Sequence, residues 1–203
     1  MSSPIYCETI ASHPEFRRLA SIDGIAVDLR YATRDNFVGR DLYSPLDCGF
    51  LHRHAAAALE QAVAWLAEHR PDYTLLVLDA LRPQRVQEQL WQALQGTDLL
   101  SYIADPARGS IHSFGMALDV TLLDAQGREL DMGTRFDDLS ERSHPAKEAE
   151  LLAHGELNAQ HIENRRWLRN AMFRGGFHGI NSEWWHFDCG DRLQVRRDYM
   201  RVL

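Results

Sequence analysis

Two short runs hold residue types that could bind a metal. The first, Ser110-Ile111-His112-Ser113-Phe114-Gly115-Met116-Ala117-Leu118-Asp119, offers an imidazole and a carboxylate. Both are ordinary zinc ligands. Asp119 sits between Leu118 and Val120 in an otherwise apolar stretch. A buried carboxylate there needs a partner of opposite charge, which a metal or an arginine would supply. Gly115 lets the backbone between the two candidate ligands turn tightly. The second run, Glu183-Trp184-Trp185-His186, adds an imidazole beside a carboxylate, with two indoles able to wall off water. Taken alone, each run has an ordinary explanation. The first could be a hydrogen-bonded loop histidine and a strand aspartate facing an arginine; the second could be core packing. Taken together, His112, Asp119 and His186 make a three-ligand set with a fourth position free, the open pattern of catalytic zinc. Glu183 is then placed to act as general base. A third run, Leu78-Asp79-Ala80-Leu81-Arg82-Pro83-Gln84, puts Arg82 at a strand end, where it could stabilise an oxyanion or simply pair with Asp79.

The elements that must position these residues read as follows. Residues 1–20 look like a loose lead-in, residues 21–31 a strand by partial alternation, and residues 32–50 a loop. Residues 53–69 have apolar residues at helical spacing, and Pro71 marks the end of that helix. The apolar run 73–79 reads as a strand buried on both faces, and Pro83 opens a helix to about 95. Residues 96–110 form a loop and 115–123 a strand. Residues 124–145 form a connection long enough to be functional. Residues 156–174 are helical up to Gly175-Gly176, and 177–188 form a last strand-like piece. The mixture lacks a βαβ rhythm, which predicts an α+β fold: one domain over 1–203, with a small mixed or antiparallel sheet flanked by helices.

With these runs identified, the chain resembles the zinc D-alanyl-D-alanine dipeptidases of the VanX type. They belong to the D-Ala-D-Ala metallopeptidases, whose fold is shared with the amino-terminal signalling domain of Hedgehog proteins. Ser110, His112, Gly115, Ala117 and Asp119 match the group's SxHxxGxAxD pattern, and Glu183 and His186 match its ExxH. Arg30-Tyr31-Ala32-Thr33, Asp35-Asn36-Phe37-Val38-Gly39, Asp79-Ala80-Leu81-Arg82-Pro83, Met132-Gly133-Thr134-Arg135-Phe136-Asp137 and Glu141-Arg142-Ser143-His144 resemble runs of the dipeptidase branch. The resemblance spans roughly residues 20–190. Ile111 and Phe114 depart from it, standing where the type members often carry small or polar residues. The resemblance implies one Zn2+ per chain on His112, Asp119 and His186, with Glu183 as base and Arg82 as transition-state stabiliser. It also implies that Asp137 contacts the substrate ammonium and Ser110 supports substrate binding. The implied substrate is a small D,D-dipeptide, cleaved in vancomycin resistance or in cell-wall recycling, and a homodimer is plausible.

Bulk properties limit the alternatives. The 203 residues carry a formal charge of −7, which argues against nucleic acid or an anionic membrane as partner. No segment has the length and apolarity of a membrane span, and the N-terminus lacks a signal-peptide pattern, so a cytoplasmic location is expected. Cys7, Cys48 and Cys189 contain no CxxC pair and read as small buried or half-buried thiols. His52, His54, His154, His161 and His178 read as solvated or satisfied histidines, and His144 is a candidate to support the site. Two rival functions share the metal ligands. One is a D,D- or L,D-carboxypeptidase acting on peptidoglycan stem peptides. The other is a non-catalytic zinc-stabilised binding domain, for which Glu183 and Arg82 would be unnecessary.

Overall fold

The computed structural model describes residues 4–203; the first three residues of the expected lead-in lie outside the described residues. In chain order the strands and helices are β1 (Phe16–Arg18), β2 (Ile25–Val27), β3 (Phe50–His52), α1 (Arg53–His69), β4 (Thr74–Asp79), α2 (Gln84–Leu94), β5 (Ala117–Leu123), α3 (Glu148–Ala153), α4 (Ala159–Arg174), β6 (Phe177–Gly179), β7 (His186–Cys189) and α5 (Arg192–Asp198). Five strands form the main sheet in the order β2-β4-β5-β7-β6. Its β2–β4 pair is parallel and the others are antiparallel. β1 and β3 form a separate antiparallel pair. This is the α+β arrangement with a mixed sheet that the residue pattern predicts.

β4 and β5 are apolar along most of their length because they lie inside the sheet with both faces covered. Leu59, Ala62 and Leu66 of α1 and Leu168, Ala171 and Met172 of α4 pack with Leu75, Val77, Leu118 and Val120 in one core cluster. The two helices meet closely: a Cβ on Gly175 would stand 2.5 Å from the Ala58 carbonyl oxygen. A second cluster gathers Ile5, Ile10 and Phe16 with Tyr31, Tyr43, Leu81, Val86 and Leu90.

Several elements differ from expectation. The lead-in is structured: Cys7–Ser12 form a 3-10 turn, β1 follows, and Ile5 bridges Val202. Its apolar residues are too sparse to show a period, yet they fill the second cluster. The strand expected over 21–31 is only Ile25–Val27, because Asp23-Gly24 turns the chain, with Gly24 at φ 78°. The strand-like piece 177–188 is a hairpin, β6 and β7, broken where Asn181-Ser182 interrupts the pattern. The helix expected from 156 begins at Ala159, because Asn158 caps it by accepting the His161 backbone N–H. The three cysteines are free, with Cys7 and Cys48 buried. Among the described residues no helix is long and apolar enough to cross a membrane.

Candidate active site

The site begins with strand register. Asp79 of β4 stands opposite Asp119 of β5, and Asp119 stands opposite His186 of β7. Directly opposed residues project to the same face, so the three side chains form one row across three strands. A register irregularity between Val77 and Asp79 helps set the end of that row. His112 arrives from a 3-10 turn, Ile111–Phe114, which Gly115 closes at φ 63°. A Cβ on Gly115 would lie 2.7 Å from the His52 nitrogen and 2.8 Å from Phe16 Cε1. The turn therefore requires glycine on both backbone and packing grounds.

His112, Asp119 and His186 converge as a buried group able to hold a metal ion. His112 Nδ1 lies 2.8 Å from the Ala80 carbonyl oxygen. A carbonyl only accepts, so Nδ1 carries the proton and Nε2 presents a lone pair. His186 Nε2 lies 2.9 Å from Asp188 Oδ1, so by the same reasoning His186 Nδ1 presents a lone pair. These two nitrogens are 3.1 Å apart. Asp119 Oδ1 is 3.0 Å from His186 Nδ1 and 3.4 Å from His112 Nε2. Three electron pairs thus face one point with no proton between them unless one is added. The spacings match the edges of a tetrahedron, about 3.3 Å for metal–ligand bonds of ~2.0–2.1 Å. The residues fit a metal, and each imidazole is oriented by an outer acceptor, as metal-binding histidines are. With only protons available, the site takes one up. Burial disfavours charge on His186, yet the Asp188 and Asp119 carboxylates outweigh it and push its pKa up to about 10. Burial also opposes the Asp119 charge, but His112 and His186 hold that carboxyl well below the usual range.

Arg82 is buried beside the triad. Its Nε donates to Asp79 Oδ2 at 2.8 Å, Nη1 to Gln87 Oε1 at 3.2 Å and Nη2 to Asp119 Oδ2 at 3.1 Å. The Tyr31 ring lies under the guanidinium, 4.9 Å from its centroid. Arg82 thus pairs with Asp79, as one sequence reading expects, and also lines the cavity beside the triad. Tyr43 donates its hydroxyl to Asp79, which fixes the outer end of the row.

A cavity of about 180 Å³ opens onto the triad, and Arg82, Ser110, Asp137 and Glu183 all line it. Glu183 is half-buried. Burial is the main cause of its raised pKa, about 7; His186 pulls it down and Asp119 adds to the rise. Asp137 accepts from Tyr31 Oη at 3.0 Å and from the Phe37 backbone N–H at 3.3 Å. It is the only non-glycine residue with positive φ among the described residues, at 61°, and such strain clusters at functional sites. Burial, with the Asp119 charge added, pushes its pKa up to about 8. The structure thus brings all seven sequence-predicted site residues to one cavity. Sequence reasoning missed Asp188. It lies two residues beyond His186, on the same face of the same strand, and that spacing could have found it. His144 supports the wall indirectly, with Nε2 2.7 Å from the hydroxyl of Tyr102. His161 serves the cap of α4.

A peptidase M15 family model described as D-Ala-D-Ala dipeptidase matches residues 15–203. The chain belongs to the D-Ala-D-Ala dipeptidase family. A D-alanyl-D-alanine dipeptidase of Escherichia coli K12 is 38% identical over 164 residues, 81% of this chain and 78% of that protein. One from Enterococcus faecium is 32% identical over 193 residues, covering 84% of this chain and 88% of the relative. One from Synechocystis is 32% identical over 188 residues, covering 78% and 74%. Among solved structures, the LD-carboxypeptidase LdcB aligns over 94% of this chain and 80% of its own, with 14% identity and a TM-score of 0.48.

Proposed function

We propose that this family member hydrolyses D-alanyl-D-alanine to two D-alanines, the whole chain acting as one catalytic unit with one zinc on His112, Asp119 and His186. The observation that carries the reading is Asp137, a carboxylate fixed by Tyr31 and Phe37 in the same small cavity as the triad. At about 180 Å³ the cavity falls below the ~300–1,000 Å³ of sites for drug-sized ligands. It suits a small substrate, and a half-buried carboxyl fixed on its wall offers a partner for a free ammonium.

A metal held by the triad supplies Lewis-acid polarisation of the scissile carbonyl and a lowered pKa for the attacking water. Glu183 takes the proton from that water and returns it to the leaving amine. Its place on the cavity wall with the triad suits a group that must do both. Arg82, held rigid by Asp79, Gln87 and Asp119, directs its guanidinium at the developing oxyanion without reorganising. Asp137 pairs with the dipeptide ammonium and Ser110 offers a hydroxyl to the substrate. An N-acylated peptide would leave the Asp137 charge unpaired, which disfavours longer chains.

The test is an assay of purified, zinc-loaded protein with D-Ala-D-Ala, L-Ala-L-Ala and N-acetyl-D-Ala-D-Ala, following free alanine. The expected result is cleavage of D-Ala-D-Ala alone, abolished by a chelator and restored by zinc. Comparable cleavage of the N-acetylated compound would favour a carboxypeptidase. Metal binding without any cleavage would favour a binding domain.

A further inference from the structure

A zwitterionic dipeptide has two charged ends, and Asp137 accounts for one. Three arginines, Arg108, Arg192 and Arg196, line the same cavity. Arg192 is committed, since its Nε donates to Asp188 Oδ2 at 2.5 Å. The other two have no carboxylate partner among the described residues. Arg196 donates through Nε to the Gly109 carbonyl at 3.1 Å and through Nη1 to the Arg192 carbonyl at 3.4 Å. Among the described residues it makes no hydrogen bond through Nη2, and the Arg108 side chain makes none at all and is exposed. Burial and the nearby charges of Arg108 and Arg192 lower the Arg196 pKa, while Asp188, already held by Arg192, works against the fall.

We propose that Arg196, with Arg108 beside it, binds the carboxylate end of the substrate, so that the cavity reads a dipeptide by both termini. The assignment rests on the peptidase reading of the cavity. Arg196 is suited to the task because two bonds to backbone carbonyls fix its guanidinium before substrate arrives, leaving the other edge for a carboxylate. Arg108, unpartnered and mobile by chemistry, adds charge and aids capture. The polarity is then Asp137 at the ammonium end, the triad and Glu183 at the scissile bond, and Arg196 at the carboxylate end. Blocking either terminus removes an ion pair.

The experiment compares D-Ala-D-Ala with its C-terminal amide, D-alanyl-D-alaninamide, using wild-type, Arg196→Gln and Arg108→Ala proteins. A charge-assisted contact at a half-exposed site should give roughly 10-fold preference in kcat/KM for the acid over the amide. Arg196→Gln should raise KM for the acid by about that factor, leave kcat and the amide's KM nearly unchanged, and so erase the preference. Arg108→Ala, which removes an exposed side chain with no hydrogen bond among the described residues, should reduce the preference without loss of fold. A preference that survives in both variants would overturn the proposal, because the carboxylate would then be read elsewhere. So would an equal loss for acid and amide. If wild-type protein cleaves neither compound, the peptidase reading fails. Calorimetric binding of the same pair then decides the carboxylate site separately, and equal affinity for acid and amide, or no binding, overturns it.

Discussion

Asp188 is the outer group on which the metal site should depend most. It accepts from His186 Nε2 at 2.9 Å and from Arg192 Nε at 2.5 Å. Burial works against its charge, but His186 and Arg192 hold its pKa at about 2, so it is ionised at any working pH. Its task is to keep the proton on His186 Nε2 and the lone pair on Nδ1, aimed at the metal. Asp188→Ala frees the imidazole to rotate and to choose the other tautomer. A charge-assisted hydrogen bond in a buried setting contributes about 1.5–3 kcal/mol, and loss of an outer partner of a metal-binding histidine typically costs 10–100-fold in affinity. Asp188→Ala should therefore weaken zinc binding by ~10–100-fold. Asp188→Asn keeps an acceptor and loses the charge, so its loss should be smaller, within about 10-fold. The assay is competition with a chromophoric chelator at pH 7.5, with melting temperatures measured at saturating zinc to separate affinity from folding. Wild-type affinity in a folded Asp188→Ala protein would refute the tautomer argument and leave the three converging lone pairs without a cause.

The other predictions concern the cavity and the turn beside it. Glu183→Gln should retain stoichiometric zinc by elemental analysis while kcat falls by ~10²–10⁴, the usual contribution of a general acid–base group; a protein that loses its metal instead would make Glu183 structural. In metal-free protein, Asp137 and Glu183 have pKa values of about 8 and about 7, against roughly 4 when unfolded. The folded state therefore binds protons that the unfolded state has released, and stability should fall as pH rises from ~4 through 8. His186, raised to about 10, acts in the same direction. Urea unfolding of metal-free Asp137→Asn should show a shallower decline between pH 5 and 9; an unchanged slope would mean Asp137 is not the proton acceptor. Gly115→Ala places a Cβ against the His52 nitrogen at φ 63° and should destabilise by at least ~1–3 kcal/mol, read as a lower melting temperature with disproportionate loss of metal affinity.

Legibility from sequence followed the length and regularity of each signal. The helix over 53–69 and the strand over 73–79 were readable because their apolar residues repeat at one period or form one unbroken run. The candidate metal triad was readable because two compact runs each bring the right side-chain chemistry with a glycine or aromatic frame. The N-terminal segment was not, since Ile5, Ile10 and Phe16 follow no period and are buried only because α2 and the 28–50 loop lie over them. β6 and β7 read as one strand because a hairpin turn built on Asn181-Ser182 carries no glycine or proline at its centre. Asp188 was passed over for another reason. Its spacing of two residues from His186 puts it on the same strand face, but its role is plain only when the His186 ring is seen to need a proton acceptor on its far side.

The charge balance of the cavity shows why these residues belong together. Asp79, Asp119, Asp137, Glu183 and Asp188 bring five carboxyl groups to a site where Arg82 and Arg192 supply ion-paired guanidiniums and Arg108 and Arg196 line the same cavity, four in all. A low-dielectric site cannot hold such an excess of negative charge unscreened. Without a cation the structure answers with protons: His186 binds a second one, and Asp137 and Glu183 hold theirs to higher pH. A divalent ion on the triad replaces the proton on His186 and favours the charged forms of both carboxyls. Metal loading and proton release are then one event. On the proposed mechanism, loading would also prepare the cavity, since the same positive charge that fills the triad would leave Glu183 free to accept a proton and Asp137 free to accept an ammonium.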